Sequence, residues 1–122
     1  MKFHLAAQGA HNVFTGYGPG YVAVNNVRYA RHVLVTATEV TDWNITDFAA
    51  LNAAHFEYLR TLNPEILILG TGERLQFPAP VLSRTLTAAG VGLEIMDSRA
   101  ACRTYNIVAA EGRNVIAAIL VA

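Results

Sequence analysis

Glu65-Ile66-Leu67-Ile68-Leu69-Gly70 is the stretch of the sequence that decides the fold. Its consecutive aliphatic residues show no alternation of polar and apolar positions, a pattern typical of a parallel strand buried on both faces. Just before it, Asn63 can adopt the left-handed conformation that ends a helix, and Pro64 prevents the helix from continuing. The sequence therefore predicts a helix that stops at residue 62 and a central strand after it.

The rest of the second half alternates between helical and strand patterns. Thr46 is a candidate cap for the first helix, Asp47 lies in its first turn, and Pro80 can start the second helix. The predicted helices are 47–62, 80–89 and 99–111, and the predicted strands are 66–69, 93–96 and 115–120. Strands separated by helices pair in parallel through right-handed crossovers, so we expect these three strands in one central sheet.

The first half shows the patterns of antiparallel strands. Asn25-Asn26 separates two short strand patterns, and since asparagine tolerates positive φ angles, the pair predicts a two-residue hairpin. Thr41-Asp-Trp-Asn44 breaks the pattern. The predicted strands are Lys2–Ala6, 12–17, Tyr21–Val24, Val27–Tyr29 and His32–Thr36. The fold class is therefore α/β with an antiparallel β addition on the N-terminal side.

Length, charge and composition exclude several classes of protein. The 122 residues suit a single domain, 1–122, and 53% hydrophobic content with zero net charge excludes intrinsic disorder. Zero net charge also argues against a nucleic-acid partner, which would require a basic surface for the phosphates. No apolar run approaches the 20 or so residues of a transmembrane span, and no signal-peptide pattern begins the chain. The single cysteine, Cys102, fits a reducing compartment, so we expect a cytoplasmic protein.

The best functional candidate is the segment Gly70-Thr71-Gly72-Glu73-Arg74, which follows the predicted central strand directly. Loops at the carboxyl ends of parallel strands form ligand crevices in open sheets. The two glycines would let backbone N–H groups approach an anion, and Arg74 could pair with it. The segment matches neither a Walker A loop nor the full dinucleotide fingerprint. A tight strand exit built from two glycines is the structural alternative.

The segment from Asp97 to Asn106 follows the next predicted strand and is expected to face the same crevice. Cys102 lies near the start of a helix between arginines, a setting that lowers a thiol pKa, but inert packing in the core is the alternative. Thr104 and Asn106 are unfavourable within a helix, so we expect their side chains to bond neighbouring loops, such as residues 70–74. The candidate ligand-binding or partner-binding residues are Gly70, Gly72, Glu73, Arg74, Asp97, Ser98, Cys102, Arg103, Thr104 and Asn106.

The charges of these two segments define the kind of ligand expected. Arg74 or Arg103 would give the crevice a local positive potential despite zero net charge, and exposed amides of Gly70 and Gly72 would add to it. Such a site suits a carboxylate or phosphate group, or an acidic side chain of a partner. Asp97 is expected to cap the following helix rather than to act as a base.

No metal or cofactor site is predicted. The four histidines lack the close spacing of paired ligands, and one cysteine cannot complete a thiolate set. No nucleophile elbow of the G-x-S-x-G type occurs. These observations favour a role without catalysis.

Several of these segments resemble one small family, that of mitochondrial respiratory complex I assembly factor 3 and its bacterial and archaeal relatives, the Mth938-like domains. The resemblance covers essentially the whole chain and is strongest from residue 64 to residue 113. The combination of GTGER, ACRTYN and EGR is specific to it. The residues that carry it are Trp43, Pro64, Ile66–Arg74, Gly92–Asp97, Ala100–Asn106 and Glu111–Arg113.

The resemblance implies a three-layer α/β fold, in which helices cover a mixed central sheet and an N-terminal antiparallel β layer is added. It implies no established catalytic residue, and for the mitochondrial branch it implies the assembly of a membrane-bound dehydrogenase through protein partners. Because no transit segment precedes the fold, the chain is expected to be a bacterial member. Ser98 stands where many relatives are expected to have threonine, a change that keeps the capping hydroxyl.

Two hypotheses about function follow. The favoured one is a non-enzymatic protein-binding or assembly factor that acts on protein partners such as respiratory-complex subunits. The alternative is a binder of a small anionic ligand, or an enzyme, that uses the loops at 70–74 and 97–106.

Overall fold

The structure is a computed structural model that describes residues 11–121. The strand predicted at Lys2–Ala6 lies outside the described residues. The strands are β1 Phe14–Gly18, β2 Tyr21–Val24, β3 Val27–Tyr29, β4 Val33–Val35, β5 Val40–Asp42, β6 Ile66–Gly70, β7 Gly92–Met96 and β8 Val115–Ile119. The α-helices are α1 Ala53–Thr61, α2 Arg84–Ala88 and α3 Ser98–Ala110.

A five-stranded mixed sheet forms the centre of the fold, in the order β5-β4-β8-β6-β7. Strand β6 pairs in parallel with both β7 and β8, whereas β4 pairs antiparallel with β8 and β5. Strands β1, β2 and β3 form a separate antiparallel sheet. The predicted central sheet and the antiparallel addition are both confirmed, and so is the α/β fold class.

The central sheet separates two hydrophobic cores, one on each face. Along β6, Ile68 contributes to one core and Leu67 and Leu69 to the other, and all three side chains are fully buried. Helix α3 and the three-stranded sheet cover the first face, while α1 and α2 cover the second. The prediction that residues 66–69 form a strand buried on both faces is therefore confirmed.

The predicted hairpin and helix ends are present. Asn25 and Asn26, at the β2–β3 turn, have φ angles of 52° and 68°, as a type I′ turn requires. Asn63 adopts the left-handed conformation after α1, with a φ angle of 57°. Asp97 caps α3, since its carboxylate accepts a hydrogen bond from the Ala100 N–H.

The prediction of one continuous helix over 47–62 is wrong. Asp47, rather than Thr46, caps a short 3-10 helix at Phe48–Ala50, and a second start signal at Asn52 begins α1. The Asn52 side chain accepts hydrogen bonds from the N–H groups of Ala54 and His55. Helical spacing of apolar residues continues across this break, which is why the pattern predicted a single helix.

Two further boundaries differ from the predictions. The helix expected at 80–89 is divided into a 3-10 turn, Pro80–Ser83, followed by α2. Thr41 and Asp42 were expected to interrupt the strand pattern, but they belong to β5. That strand lies at the edge of the sheet with both side chains exposed, so it carries no hydrophobic signal.

Asn106 joins α3 to the three-stranded sheet. Its Oδ1 accepts a hydrogen bond from the Phe14 N–H, and its Nδ2 donates one to the Phe14 carbonyl, both at 2.9 Å. The amide thus pairs with the backbone of Phe14 as a neighbouring strand would. The Phe14 ring packs edge-on against Tyr105 of α3, with ring centroids 5.3 Å apart. The expected bond from Asn106 to the loop at 70–74 is therefore wrong, because Asn106 bonds β1.

Replacing Asn106 with alanine should destabilise the protein. The change removes both hydrogen bonds to the Phe14 backbone and leaves its N–H and carbonyl unpaired, which should lower the free energy of unfolding by about 1–3 kcal/mol. Denaturant titration of the free energy of unfolding measures this loss. Ile107→Ala, at a 62% exposed position of the same helix, is the control and should cost much less. Equal losses in the two variants would contradict the role of the Asn106 amide.

Candidate functional site

The two segments singled out in the sequence meet at the carboxyl ends of β6 and β7. The Ser98 N–H donates a hydrogen bond to the Gly72 carbonyl at 2.9 Å, and the Gly72 N–H donates one to Ser98 Oγ at 2.8 Å. The Thr71 N–H donates to the Met96 carbonyl, also at 2.9 Å. The loop after β6 and the start of α3 are therefore direct neighbours, as parallel pairing of the two strands requires.

The Ser98 hydroxyl connects three segments at this edge. Besides accepting from the Gly72 N–H, it donates a hydrogen bond to the Leu120 carbonyl at 2.6 Å. Gly70 leaves room for this contact, because a Cβ atom there would lie 2.9 Å from Ser98 Oγ and 3.0 Å from Ile119 Cδ1. The N-terminus of α3, the loop after β6 and the end of β8 are thus held together by one side chain.

The amide of Gly72 is occupied by this internal hydrogen bond. Gly72 is buried and has a φ angle of 99°, in the region that glycine adopts without strain. The expectation of an exposed Gly72 amide that adds to an anion site is therefore wrong, since Ser98 already accepts its hydrogen bond. The glycine pattern serves a tight strand exit here, the structural alternative considered for this segment.

A cleft of about 100 Å³ opens beside this edge, between the loop and the turn that joins β1 to β2. We call it the hairpin cleft. Its walls include Tyr17, Tyr21, Gly72, Glu73, Ser98 and Arg99. Sequence reasoning missed the wall formed by the β1–β2 turn, which contains Gly18 and Pro19. Nothing local in the sequence indicates that this turn folds against α3.

Tyr17, which lines the hairpin cleft, lies beside two arginines of α3, of which Arg99 also lines the cleft. Arg103 Nη1 donates a hydrogen bond to the Tyr17 hydroxyl at 2.7 Å. The guanidinium carbons of Arg99 and Arg103 lie 6.0 and 5.9 Å from the centre of the tyrosine ring. Within residues 11–121, neither guanidinium forms an ion pair with a carboxylate. Both positive charges therefore remain available at an aromatic surface.

Arg74 lines a different, wider cleft, which lies between the loop after β6 and the 3-10 helix Phe48–Ala50. We call it the loop cleft. Glu73 borders both clefts, and Asp47 borders the loop cleft with Arg74. Arg74 thus lines a different cleft from Arg99, and Arg103 bonds Tyr17 rather than sharing a crevice with Arg74.

Three candidate residues lie further along α3. Cys102 is 1% exposed in the core between α3 and the sheet, and burial raises the pKa of its thiol to about 12, an effect that outweighs the opposing charge of Arg103. Thr104 is half-buried, and Asn106 is engaged by Phe14. The setting of Cys102 is that of a small core residue rather than of an activated thiolate.

No group of three potential metal ligands occurs between residues 11 and 121. His32 is engaged in internal contacts, because its Nδ1 accepts a hydrogen bond from the Val121 N–H at 2.9 Å and its Nε2 lies 3.0 Å from the Thr46 carbonyl. The ring therefore joins the end of β8 to the segment before the 3-10 helix. His55 likewise completes the cap of α1 by accepting a hydrogen bond from the Asn52 N–H.

Comparison with known proteins assigns the chain to a family. Residues 14–120 match the family described as "Protein of unknown function (DUF498/DUF598)". The chain belongs to this family. A solution NMR structure of a Bordetella pertussis protein described as an Mth938-like domain is 34% identical, with a TM-score of 0.79, and the match covers 93% of this chain and 86% of that one. The resemblance to the Mth938-like domains is thereby confirmed.

Curated proteins with descriptive names are also similar to this chain, and two of them illustrate the range. The "13 kDa major membrane protein" of Francisella tularensis subsp. holarctica is 31% identical over 109 residues, which cover 88% of this chain and 89% of that protein. The Bos taurus "NADH dehydrogenase (ubiquinone) 1 alpha subcomplex assembly factor 3" is 30% identical over 103 residues, which cover 83% of this chain and 55% of that protein. The family domain thus spans about half the length of this assembly factor. In the part of the chain that the structure describes, no helix is both long enough and apolar enough to cross a bilayer.

Replacing Ser98 with alanine should loosen the edge at which the two segments meet. The change leaves the Gly72 N–H and the Leu120 carbonyl without the partner that they share, at a cost of about 1–3 kcal/mol in the free energy of unfolding. Ser98→Thr keeps the hydroxyl and should retain most of the stability. Hydrogen exchange of the Gly72 amide provides a local measurement and should accelerate in Ser98→Ala. Unchanged protection of Gly72 would contradict the assigned contact.

Cys102 should be unreactive in the native protein. Its burial and raised thiol pKa predict that a thiol-specific disulfide reagent at mildly alkaline pH labels it only after denaturation. Ile107→Cys, which adds a thiol at an exposed position of the same helix, should be labelled at once in the native state. Labelling of native Cys102 as fast as that of the added thiol would refute this prediction.

Proposed function

We propose that this chain is a non-enzymatic protein-binding factor that assists the assembly of a respiratory NADH dehydrogenase. Similarity to the assembly factor of Bos taurus over 83% of this chain supports this role. Because the chain spans only about half of that protein, the partner and the step of assembly are part of the proposal.

The observation that carries the proposal is the group of Tyr17, Arg99 and Arg103 at the hairpin cleft. Tyrosine and arginine are the residue types most enriched where protein interfaces gain their binding energy. The two guanidiniums have no carboxylate partner within residues 11–121, and the acidic side chain on the cleft wall is that of Glu73. An acidic side chain of a partner would complete two charge-assisted hydrogen bonds there.

The size of the hairpin cleft favours a partner side chain over a free small molecule. Sites for drug-sized ligands usually enclose about 300–1,000 Å³, whereas this cleft measures about 100 Å³. One carboxylate-bearing side chain fits such a space. The buried setting of Cys102 also supports a binding role, because this thiol is poorly placed to act as a nucleophile.

Removal of the chain from its source organism should reduce the amount of assembled NADH dehydrogenase several-fold. Native gel electrophoresis with an activity stain measures the assembled complex. The wild-type chain should restore it, whereas the double variant Arg99→Gln/Arg103→Gln should not, since both charges at the hairpin cleft are lost. Both arginines are exposed, so the variant should keep its thermal stability.

Arg60→Gln is the matched control. It removes a partly exposed arginine of α1, on the opposite face of the central sheet, where Arg60 pairs with Glu57. This variant should restore assembly as the wild type does. Assembly that is unaffected by removal of the chain would refute the proposed function. Full restoration by the double variant would refute the assignment of the hairpin cleft.

A further inference from the structure

The segment Leu75–Pro78, which follows the loop after β6, reverses the usual distribution of polar and apolar side chains. Leu75 is 51% exposed and Phe77 is 69% exposed, while Gln76 between them is half-buried and Pro78 is buried. Burial thus alternates residue by residue: the large apolar side chains of Leu75 and Phe77 face outward, and the polar side chain of Gln76 faces inward. Single exposed apolar residues are common on protein surfaces, whereas neighbouring large apolar side chains that are exposed together are typical of surfaces that bind a partner or a membrane.

Hydrogen bonds hold the segment in this orientation. The Thr71 hydroxyl accepts from the Gln76 N–H at 3.1 Å and donates to the Arg74 carbonyl at 2.7 Å. The Gln76 side-chain amide donates to the Thr71 carbonyl at 3.3 Å. Thr71 itself is only 2% exposed, so these hydrogen bonds connect the segment to a buried residue. Because Gln76 is drawn inward, Leu75 and Phe77 are presented to the outside.

From Arg74 onward, the chain around this apolar pair carries basic but no acidic residues, whereas Glu73 directly precedes Arg74. No aspartate or glutamate occurs from Arg74 to Leu93. Arg74 and Arg84 flank the segment, both are exposed, and neither forms an ion pair within residues 11–121. Asp47 and Glu73 are the acidic residues that line the loop cleft with Arg74. Val81, three residues after the segment along the chain, is another exposed large apolar side chain, at 56%.

The size and chemistry of this surface fit a lipid bilayer. A stable protein pair buries about 800 Å² on each partner, more than three side chains of this size expose, so a second copy of the chain is a poor occupant. Apolar side chains flanked by arginines are the means by which peripheral proteins enter the boundary between headgroups and acyl chains of anionic membranes. We propose that residues 74–84 dock on an anionic lipid surface, with Leu75 and Phe77 inserted and Arg74 and Arg84 at the headgroups.

This inference goes beyond the proposed assembly role and does not depend on it, because the docking surface is separate from the hairpin cleft. The purified chain should sediment with vesicles of equal parts phosphatidylglycerol and phosphatidylethanolamine, and much less with phosphatidylcholine vesicles. Leu75→Ser/Phe77→Ser should lower the partition coefficient about tenfold or more, since the inserted apolar surface is lost. Arg74→Gln/Arg84→Gln should weaken binding at low salt and remove most of its salt dependence.

Ile107→Ser is the matched control for lost apolar exposure, because Ile107 is 62% exposed on α3 and should not contact lipid. Insertion of the side chain at position 77 into the bilayer can be measured separately by tryptophan fluorescence. Phe77→Trp should be quenched by brominated acyl chains, whereas Ile107→Trp should not, and the buried Trp43 contributes equally to both.

Three outcomes would overturn the inference. The first is a wild-type chain that fails to bind phosphatidylglycerol vesicles. The second is Leu75→Ser/Phe77→Ser binding as the wild type does, or Phe77→Trp escaping quenching by brominated lipid. The third is a wild-type chain that binds no vesicles together with a Leu75→Ser/Phe77→Ser variant that loses self-association or a protein partner. That result would show that the surface contacts protein rather than lipid. Each of these results leaves the test of the hairpin cleft unaffected.

Discussion

Burial of β6 and β8 on both faces is the constraint on which the rest of the structure depends. A strand covered on both faces needs two separate layers of side chains, and the chain supplies α1 and α2 for one face and α3 with the three-stranded sheet for the other. The second layer is composite, so its two parts must also be joined to each other. Asn106 joins the two parts by hydrogen-bonding the backbone of Phe14. A hydrophobic contact alone would leave the N–H and carbonyl of Phe14 unpaired.

The same constraint creates the hairpin cleft. Helix α3 and the β1–β2 turn are parts of one layer but come from opposite ends of the chain, and the gap between them opens at the carboxyl edge of the central sheet. Ser98 lines this gap and bonds Gly72 and Leu120, and Tyr17 lines it beside the α3 arginines. The proposed binding surface therefore lies where two elements meet without fully packing, on a base whose polar groups are satisfied by hydrogen bonds.

Local signals predicted the parts of the fold that depend on local physics. The Asn25-Asn26 turn and the Asp97 cap each express a constraint that neighbouring residues satisfy among themselves. The aliphatic run at 66–69 was recognisable because its residue types alone indicate burial on both faces. The break before α1 was missed because the Asn52 cap lies within a continuous apolar periodicity. The wall of the cleft was missed for a different reason, since the bond between Tyr17 and Arg103 spans 86 residues and has no local signature.

Two features that suggested chemistry in the sequence are internal in the structure. Cys102 and the Gly72 amide suggested chemistry, yet the first is packed in the core and the second is bonded to Ser98. Phe77 was not among the candidate site residues, because an aromatic residue in a sequence is ordinarily assigned to the protein interior. Its exposure follows from Gln76, whose bonds to Thr71 turn the polar side chain inward and leave the aromatic ring outside. In this segment, the inward hydrogen bonds of a polar residue determine which apolar side chains are exposed.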